Sequence, residues 1–353
     1  MDIKITLSPE SRLKKTNFND LKFGETFSDH MFIADYANGR WKSPRIIPFG
    51  PMKISPGNCA IHYGQIIFEG LKAFHSARGD INIFRPYQHY ERLNRSAARL
   101  CIPQVPADLF MTGLKELVKV DRQWIPKERG CSLYVRPFIF ASEDFLGVKV
   151  SEQYRLMIIT CPVAAYYKKG MSPVNLVTSG KYVRASKGGL GEAKTPANYA
   201  ASLLPAEEAK KHGFTQVLWL DGSPKGNIEE VGTMNIMFVI DGAIVTPRLN
   251  GSILPGITRD SVLKLAKKWK IGVRERRISI RELISAARNG RLTEAFGTGT
   301  AAVISPVGSI KHEQETIIIN DGRIGPLSQR FYDEITGVQY GEKPDTYEWC
   351  CRI

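Results

Sequence analysis

The sequence holds no apolar run approaching the roughly 20 residues that a membrane-spanning helix requires. Its opening, MDIKITLSPESRLKK, lacks both an apolar core and a small-residue cleavage site, so it does not read as a secretory signal. A cytoplasmic protein is expected. Only six cysteines occur (Cys59, Cys101, Cys131, Cys161, Cys350 and Cys351), and none shows the C-x-x-C spacing of a zinc or redox site. Several sit in apolar segments such as LMIITCPV, where buried free thiols are common, and reduced, structural cysteines are expected. Six dispersed histidines without H-E-x-x-H give no pattern for a metal centre. Internal repeats and low-complexity tracts are also missing.

Positive charge, by contrast, is plentiful. The net charge is +14 over 353 residues, which suits nucleic acid, an acidic membrane surface or anionic small molecules. Nucleic-acid binders concentrate such charge in a stripe interleaved with aromatics. Here Lys and Arg are spread along the chain, and the densest cluster, KWKIGVRERR at 268–277, has helix-then-strand periodicity. A solvated face is the better reading, and no nucleic-acid or membrane partner is expected.

The length is comfortable for two domains. Residues 1–50 are turn-rich, with a strand at MFIADYA. GQIIFEGLKAFHS and INIFRP read as strands around an ARGD turn. Two amphipathic helices follow, the first carried by Tyr90, Leu93, Ala97 and Leu100, the second by Leu109, Phe110, Leu114 and Leu117. CSLYVRPFIFA and QYRLMIITCPV are rich in β-formers. The segment 164–175, with AAYYKKGMSPV at its heart, breaks the pattern and divides a smaller domain, 1–163, from a larger one, 176–353. In the second half, a helix near 197–212 and strands at TQVLWL, MNIMFVI and AIVTP are expected. ITRDSVLKLAKKW reads as a helix with Thr258 as N-cap, and EAFGTGTAAVIS returns to strand. The irregular alternation points to a two-domain α/β or α+β chain rather than a regular doubly wound sheet.

Four segments could carry chemistry. Lys194 lies in GGLGEAKTPANY among small and turn-forming residues, which permit a flat cofactor to approach an amine; taken alone, an ordinary surface lysine fits equally. Glu230, in NIEEVGTMNIMFV, could face a pyridine nitrogen or be a loop carboxylate; Glu229 beside it would point the other way, so only one of the pair can serve. Arg92 sits on the first amphipathic helix with several other arginines. LPGITRD offers the N–H groups of a helix start to an anion. FGTGTAA at 296–302 formally matches a dinucleotide fingerprint, but it runs into the β-like AAVISPV and opens no helix, so the match is accidental.

Together these segments resemble the branched-chain amino-acid aminotransferases, of the fold type IV class of pyridoxal-phosphate enzymes. The similarity spans almost the whole chain and rests on HYGQIIFEGLKAF, LYVRPFIF, GEAKTPANY, IEEVGTMN, LNGSILPGITRD and FGTGTAAVISPVG. It implies a small N-terminal α/β domain, a larger C-terminal pseudo-barrel domain, and a homodimer. Under it Lys194 would hold the cofactor and move the proton at the substrate α-carbon. Tyr199 would bond the cofactor phenolate oxygen, and Glu230 the pyridinium nitrogen. Arg92, Ile257, Thr258 and Thr300 would bind the phosphate, a dianion that needs cations and oriented N–H donors. Phe23, Tyr63, Phe68, Tyr134 and Tyr166 would wall the substrate, with Val148 contributed by the partner subunit. Arg136, Thr233 and Ala301 would place carboxylates.

The implied reaction moves the amino group of leucine, isoleucine or valine to 2-oxoglutarate. Other activities of that fold stay open, such as D-amino-acid or (R)-amine transaminases and aminodeoxychorismate lyases. A nucleic-acid-binding protein and a catalytically dead relative are the readings from other classes. Ala164 and Ala197 stand where the family usually has glycine, each adding a Cβ. Pro205 should kink or break the helix after Lys194. Ala302 and Ser305 occupy the places of the paired cysteines of some animal relatives, so no thiol switch is expected there.

Overall fold

The structure, a computed structural model, describes residues 2–166 and 170–353. The chain divides into two compact units, the first formed by Met1–Lys168, Ala193–Pro196 and Gly337–Ile353, the second by Lys169–Glu192 and Ala197–Thr336. Residues 167–169 of the expected boundary segment, 164–175, lie outside the described residues. Two segments join the first unit from far along the chain. The C-terminal 17 residues belong to the first unit because Cys350–Arg352 pairs antiparallel with strand Ile81–Phe84. The short segment around Lys194 belongs there too, held by its backbone hydrogen bonds.

In the first unit, alternating β-formers build an open sheet. Its strands are β1 (Lys4–Ile5), β2 (His30–Ala37), β3 (Arg40–Pro48), β4 (Ile66–Phe68), β5 (Leu71–His75), β6 (Ile81–Phe84), β7 (Ser132–Ala141) and β8 (Tyr154–Val163). They run in the order β1-β3-β2-β8-β7-β5-β6, followed by the C-terminal strand, with β4 on β7. β7 and β8 pair antiparallel along their whole length, from Ser132 opposite Val163 to Ala141 opposite Tyr154. This fixes which side chains of YVRPFIF share a face. Helices α1 (Cys59–Tyr63), α2 (Pro86–Arg99) and α3 (Ala107–Val120) belong to the same unit, and Leu93, Ala97, Leu109, Phe110, Leu114 and Leu117 are buried in its core as their spacing predicts. The turn-rich opening also holds β3, which its composition does not announce; it forms a hairpin with β2 through Asn38–Gly39, both at positive φ.

In the second unit the strands are β9 (Val174–Thr178), β10 (Gln216–Leu220), β11 (Ile228–Val231), β12 (Met234–Ile240), β13 (Ala243–Pro247), β14 (Val273–Arg276), β15 (Leu292–Gly299), β16 (Val303–His312) and β17 (Glu315–Ile318). Six of them close a ring, β11-β10-β9-β16-β15-β12 and back to β11, with β13, β14 and β17 outside it. The pseudo-barrel of the larger domain is therefore present. Helices α4 (Pro196–Ala200), α5 (Leu203–Lys211), α6 (Ile257–Lys268), α7 (Ile280–Arg288) and α8 (Pro326–Gln339) complete the chain.

Two local expectations need correction. The helix near 197–212 is two helices, broken at 201–202, and Pro205 sits in the first turn of α5, where its missing N–H leaves no hydrogen bond unmade. The N-cap of α6 is Gly256 rather than Thr258, its carbonyl accepting from Asp260 N–H at 3.0 Å. A Cβ on Gly256 would overlap the Asn235 side-chain oxygen, so the close approach of this turn to β12 sets where the helix begins. Neither Ala164 nor Ala197 takes a positive φ, and the added Cβ atoms put no strain on the backbone.

Candidate active site

Lys194 is placed by its backbone. Its N–H donates to Ser96 Oγ of α2 at 2.9 Å, and its carbonyl accepts from Phe68 N–H at 3.0 Å. Thr195, fully buried next to it, donates its hydroxyl to the Ile66 carbonyl at 2.7 Å. The half-buried amine lies 4.7 Å from the centre of the Phe68 ring, a cation–π distance. The small residues before it therefore let the chain run flat against β4, as a local surface lysine would not require.

Arg92, 3% exposed, is in the same unit. Its Nε and Nη2 donate to the two carboxylate oxygens of Glu69 at 2.7 and 2.9 Å. His89, one turn earlier on α2, donates from Nδ1 to the same carboxylate at 2.6 Å. Burial alone would raise the Glu69 carboxyl, but the Arg92 charge and the hydrogen bonds from Arg92 and His89 outweigh it and hold it well below the usual carboxylate range. Burial pushes His89 below the ordinary imidazole range, more than Glu69 can offset, with Arg92 and Lys194 adding to the depression. Facing a carboxylate, Nδ1 carries a proton.

On β7, Tyr134 and Arg136 share a face with Phe68. The Arg136 guanidinium lies 4.7 Å from the Phe68 ring and 5.3 Å from the Tyr134 ring, and its Nη2 donates to the Tyr134 hydroxyl at 3.0 Å. Its buried Nε has no hydrogen-bond partner among the described residues. Phe23 meets Tyr134 edge-on at 5.0 Å. Of the other aromatics expected there, Tyr63, ending α1, and Tyr166 are about half exposed, while Val148 is 90% exposed in a loop with Leu146 and Val150.

The second unit holds the remaining candidates. Tyr199, Glu230 and Thr233 line one cavity, together with Arg184, Asn198, Ser202, Gly232 and Leu254. Glu230 is not a loop carboxylate: it lies on β11, 3% exposed, and is paired with Arg184 at 2.5 Å. The Asn235 side-chain amide and the Leu254 N–H also donate to it, at 3.0 and 3.2 Å. Glu229 does face the other way, bonded to Ser252 and Asn250. Ile257 and Thr258 are the first two residues of α6, so their N–H groups head that helix.

Thr300 and Ala301 lie in the three-residue turn joining β15 to β16. At its end Val303 takes φ +63, with Ile304 N–H bonded to the Ala302 carbonyl at 2.8 Å. A β-branched residue held in that region stores strain on the order of 1–3 kcal/mol, as residues of ligand-binding loops often do. The G-x-G-x-x-A match is thus a hairpin turn, not a helix-opening fingerprint.

Motif spacing did not reveal Glu69, His89, Arg184 or Asn235. Glu69 and Asn235 are polar side chains in apolar stretches, whereas His89 and Arg184 lie among polar neighbours. For the first two that is the one signal left in the sequence, and it does not say which partner each one meets.

Residues 67–310 match the family model of the class IV aminotransferases. The chain belongs to that family, and it is a transaminase. Within the family its relatives are specific: it is 51% identical to branched-chain-amino-acid aminotransferase 2 of Bacillus subtilis, across 99% of this chain and 97% of that one. It is 46% identical to the branched-chain-amino-acid aminotransferase of Mycobacterium tuberculosis, across 94% and 92%. Its fold is similar to the solved branched-chain amino acid aminotransferase of Escherichia coli, with a TM-score of 0.73 at 30% identity over 92% of this chain and 98% of that one. The Thermobaculum terrenum enzyme, solved in its PLP form, matches with a TM-score of 0.75 at 25% identity over 91% and 97%. Within that family the chain belongs with the branched-chain-amino-acid aminotransferases.

Proposed function

We propose that the chain moves the amino group of L-leucine, L-isoleucine or L-valine to 2-oxoglutarate, giving the branched 2-oxo acid and L-glutamate. The observation that carries this substrate pair is Arg136, whose buried Nε lacks a partner among the described residues beside the rings of Phe68 and Tyr134. Aromatic walls accept a branched aliphatic side chain, while a guanidinium with an unmet donor suits the second carboxylate of glutamate. Phe23, Tyr63 and Tyr166 extend the wall, and Thr233 and Ala301 help orient the α-carboxylate.

The residues also fit pyridoxal 5'-phosphate charge for charge. Arg92, Ile257, Thr258 and Thr300 supply a cation, helix-heading N–H groups and a hydroxyl for its phosphate. Glu230 supplies the anion for its ring nitrogen, Tyr199 a donor for its phenolate oxygen, and Lys194 the amine that holds it. When bound, the cofactor supplies an electron sink for the bond broken at the substrate α-carbon. Lys194 Nζ would take the proton from that carbon and pass it to cofactor carbon C4′, and would run the same transfer backwards in the second half-reaction. Phe68 under the amine limits water at Nζ. The six cysteines, all free, suit a reducing cytoplasm. The exposed apolar loop bearing Leu146, Val148 and Val150 suits a homodimer.

A substrate panel tests this reading. With 2-oxoglutarate as acceptor, L-leucine, L-isoleucine and L-valine should form glutamate, while D-alanine and an (R)-amine should not. Turnover of D-alanine without turnover of L-leucine would sink it in favour of another fold type IV activity.

A further inference from the structure

We propose that Glu69 is the positioning residue for Arg92: its carboxylate locks the guanidinium so that one edge is set for a phosphate, and His89 locks the carboxylate. This rests on the assignment of Arg92 to the cofactor phosphate.

Glu69 cannot serve as a ligand itself. It is fully buried, and donors fill both its oxygens. Arg92 Nε reaches Oε1 at 2.7 Å; Arg92 Nη2, His89 Nδ1 and Gly70 N–H reach Oε2 at 2.9, 2.6 and 3.1 Å. Its main chain is held as well, its N–H donating to the Pro137 carbonyl of β7 at 2.7 Å, while Phe68 N–H beside it holds the Lys194 carbonyl. A carboxylate fixed at both ends is a rigid anvil. It grips Arg92 side-on, through Nε and Nη2, so the Nη1–Nη2 edge is the one Glu69 does not engage. That edge is the fork a phosphate takes. A buried ion pair of this kind adds little stability over apolar residues of the same volume, so orientation is the better account of it.

The test compares two ligands on the apoenzyme, by absorbance or intrinsic-fluorescence titration: pyridoxal 5'-phosphate and pyridoxal, which lacks the phosphate. The ratio of their affinities reads the phosphate site alone. Glu69→Gln should lower that ratio by about tenfold, the scale of one misaligned charge-assisted contact. Arg92→Met should lower it at least as far, and the double variant no further than Arg92→Met. A ratio unchanged or raised in Glu69→Gln, with Arg92→Met lowered, overturns the role of Glu69. A ratio unchanged in Arg92→Met overturns the phosphate assignment itself.

If Glu69→Gln does not fold, His89 gives the same reading. His89→Leu should lower the ratio a few-fold, and His89→Asn, which keeps a donor toward the carboxylate, should restore it. Equal ratios in those two variants would overturn the proposal. A purely structural role would weaken both ligands alike and leave every ratio where it was.

Discussion

Two buried ion pairs, one in each unit, use the same two residue types with the roles exchanged. In the first unit the arginine, Arg92, is assigned to the ligand and the glutamate, Glu69, braces it. In the second the glutamate, Glu230, is assigned to the ligand and the arginine, Arg184, lies against it at 2.5 Å. Each pair has a third member: His89 on Glu69, and Asn235 on Glu230. Burying such charges is expensive, and breaking one by removing a single partner typically costs about 3–5 kcal/mol. Under the proposed assignments the sign follows the ligand group each would meet, a phosphate in one case and a pyridinium in the other. The brace takes the opposite sign in both.

The largest effect should come from Lys194→Ala, which lies in neither pair: transamination should fall by several orders of magnitude while the melting temperature changes little. Residual turnover near wild type would remove Lys194 from the chemistry. Next, Glu230→Gln should lower kcat by about 10²–10³-fold with a smaller change in KM, since the anion is needed most as charge moves into the ring. If Arg184→Met cost as much as Glu230→Gln, the ranking of ligand group over brace would fail in the second unit. Arg136→Met should raise KM for 2-oxoglutarate by about 10–100-fold and barely touch L-leucine; equal losses for both would remove it from carboxylate selection.

The smallest effect concerns acid stability. His89 is depressed in the fold below its ordinary value of 6.5, so the unfolded chain binds a proton that the native ring refuses. Stability is therefore whole above that value and declines as the pH falls beneath it. Glu69, also depressed from its ordinary value of 4.5, adds a second decline below that pH. Thermal midpoints from pH 7.5 to 5 should fall more steeply for the wild type than for His89→Asn. Parallel slopes would show that His89 does not stay neutral.

The α/β class, the long strands and the amphipathic helices α2 and α3 were legible because each carries its own period. Strand β3 was not, because RWKSPRIIP mixes charge and proline with β-formers and is defined by pairing with β2. The C-terminal strand was hidden for a similar reason: CCR has no pattern of its own, and only its pairing with β6 makes it a strand. At the site, Lys194, Arg92 and Glu230 could be named because motif order singles them out. Their braces could not, since Glu69 and Arg184 are distant in sequence from what they hold, by 23 and 46 residues. Arg184 also donates to the Gly191 and Ser252 carbonyls, a role that composition cannot show.

The tight hairpin between β11 and β12 gives the neighbouring glutamates a separate significance. Val231 faces Met234 and Glu230 faces Asn235, across Gly232 and Thr233, with Gly232 at φ +53 as only a glycine readily allows. Which glutamate meets Arg184 and Asn235 is thus decided by counting residues through this turn. With a two-residue turn kept, a deletion of one residue there would hand the post to Glu229, and an insertion would hand it to Val231, while leaving the composition of the segment almost untouched. Drift in the length of these two positions is therefore a far graver event for such an enzyme than drift in their chemistry.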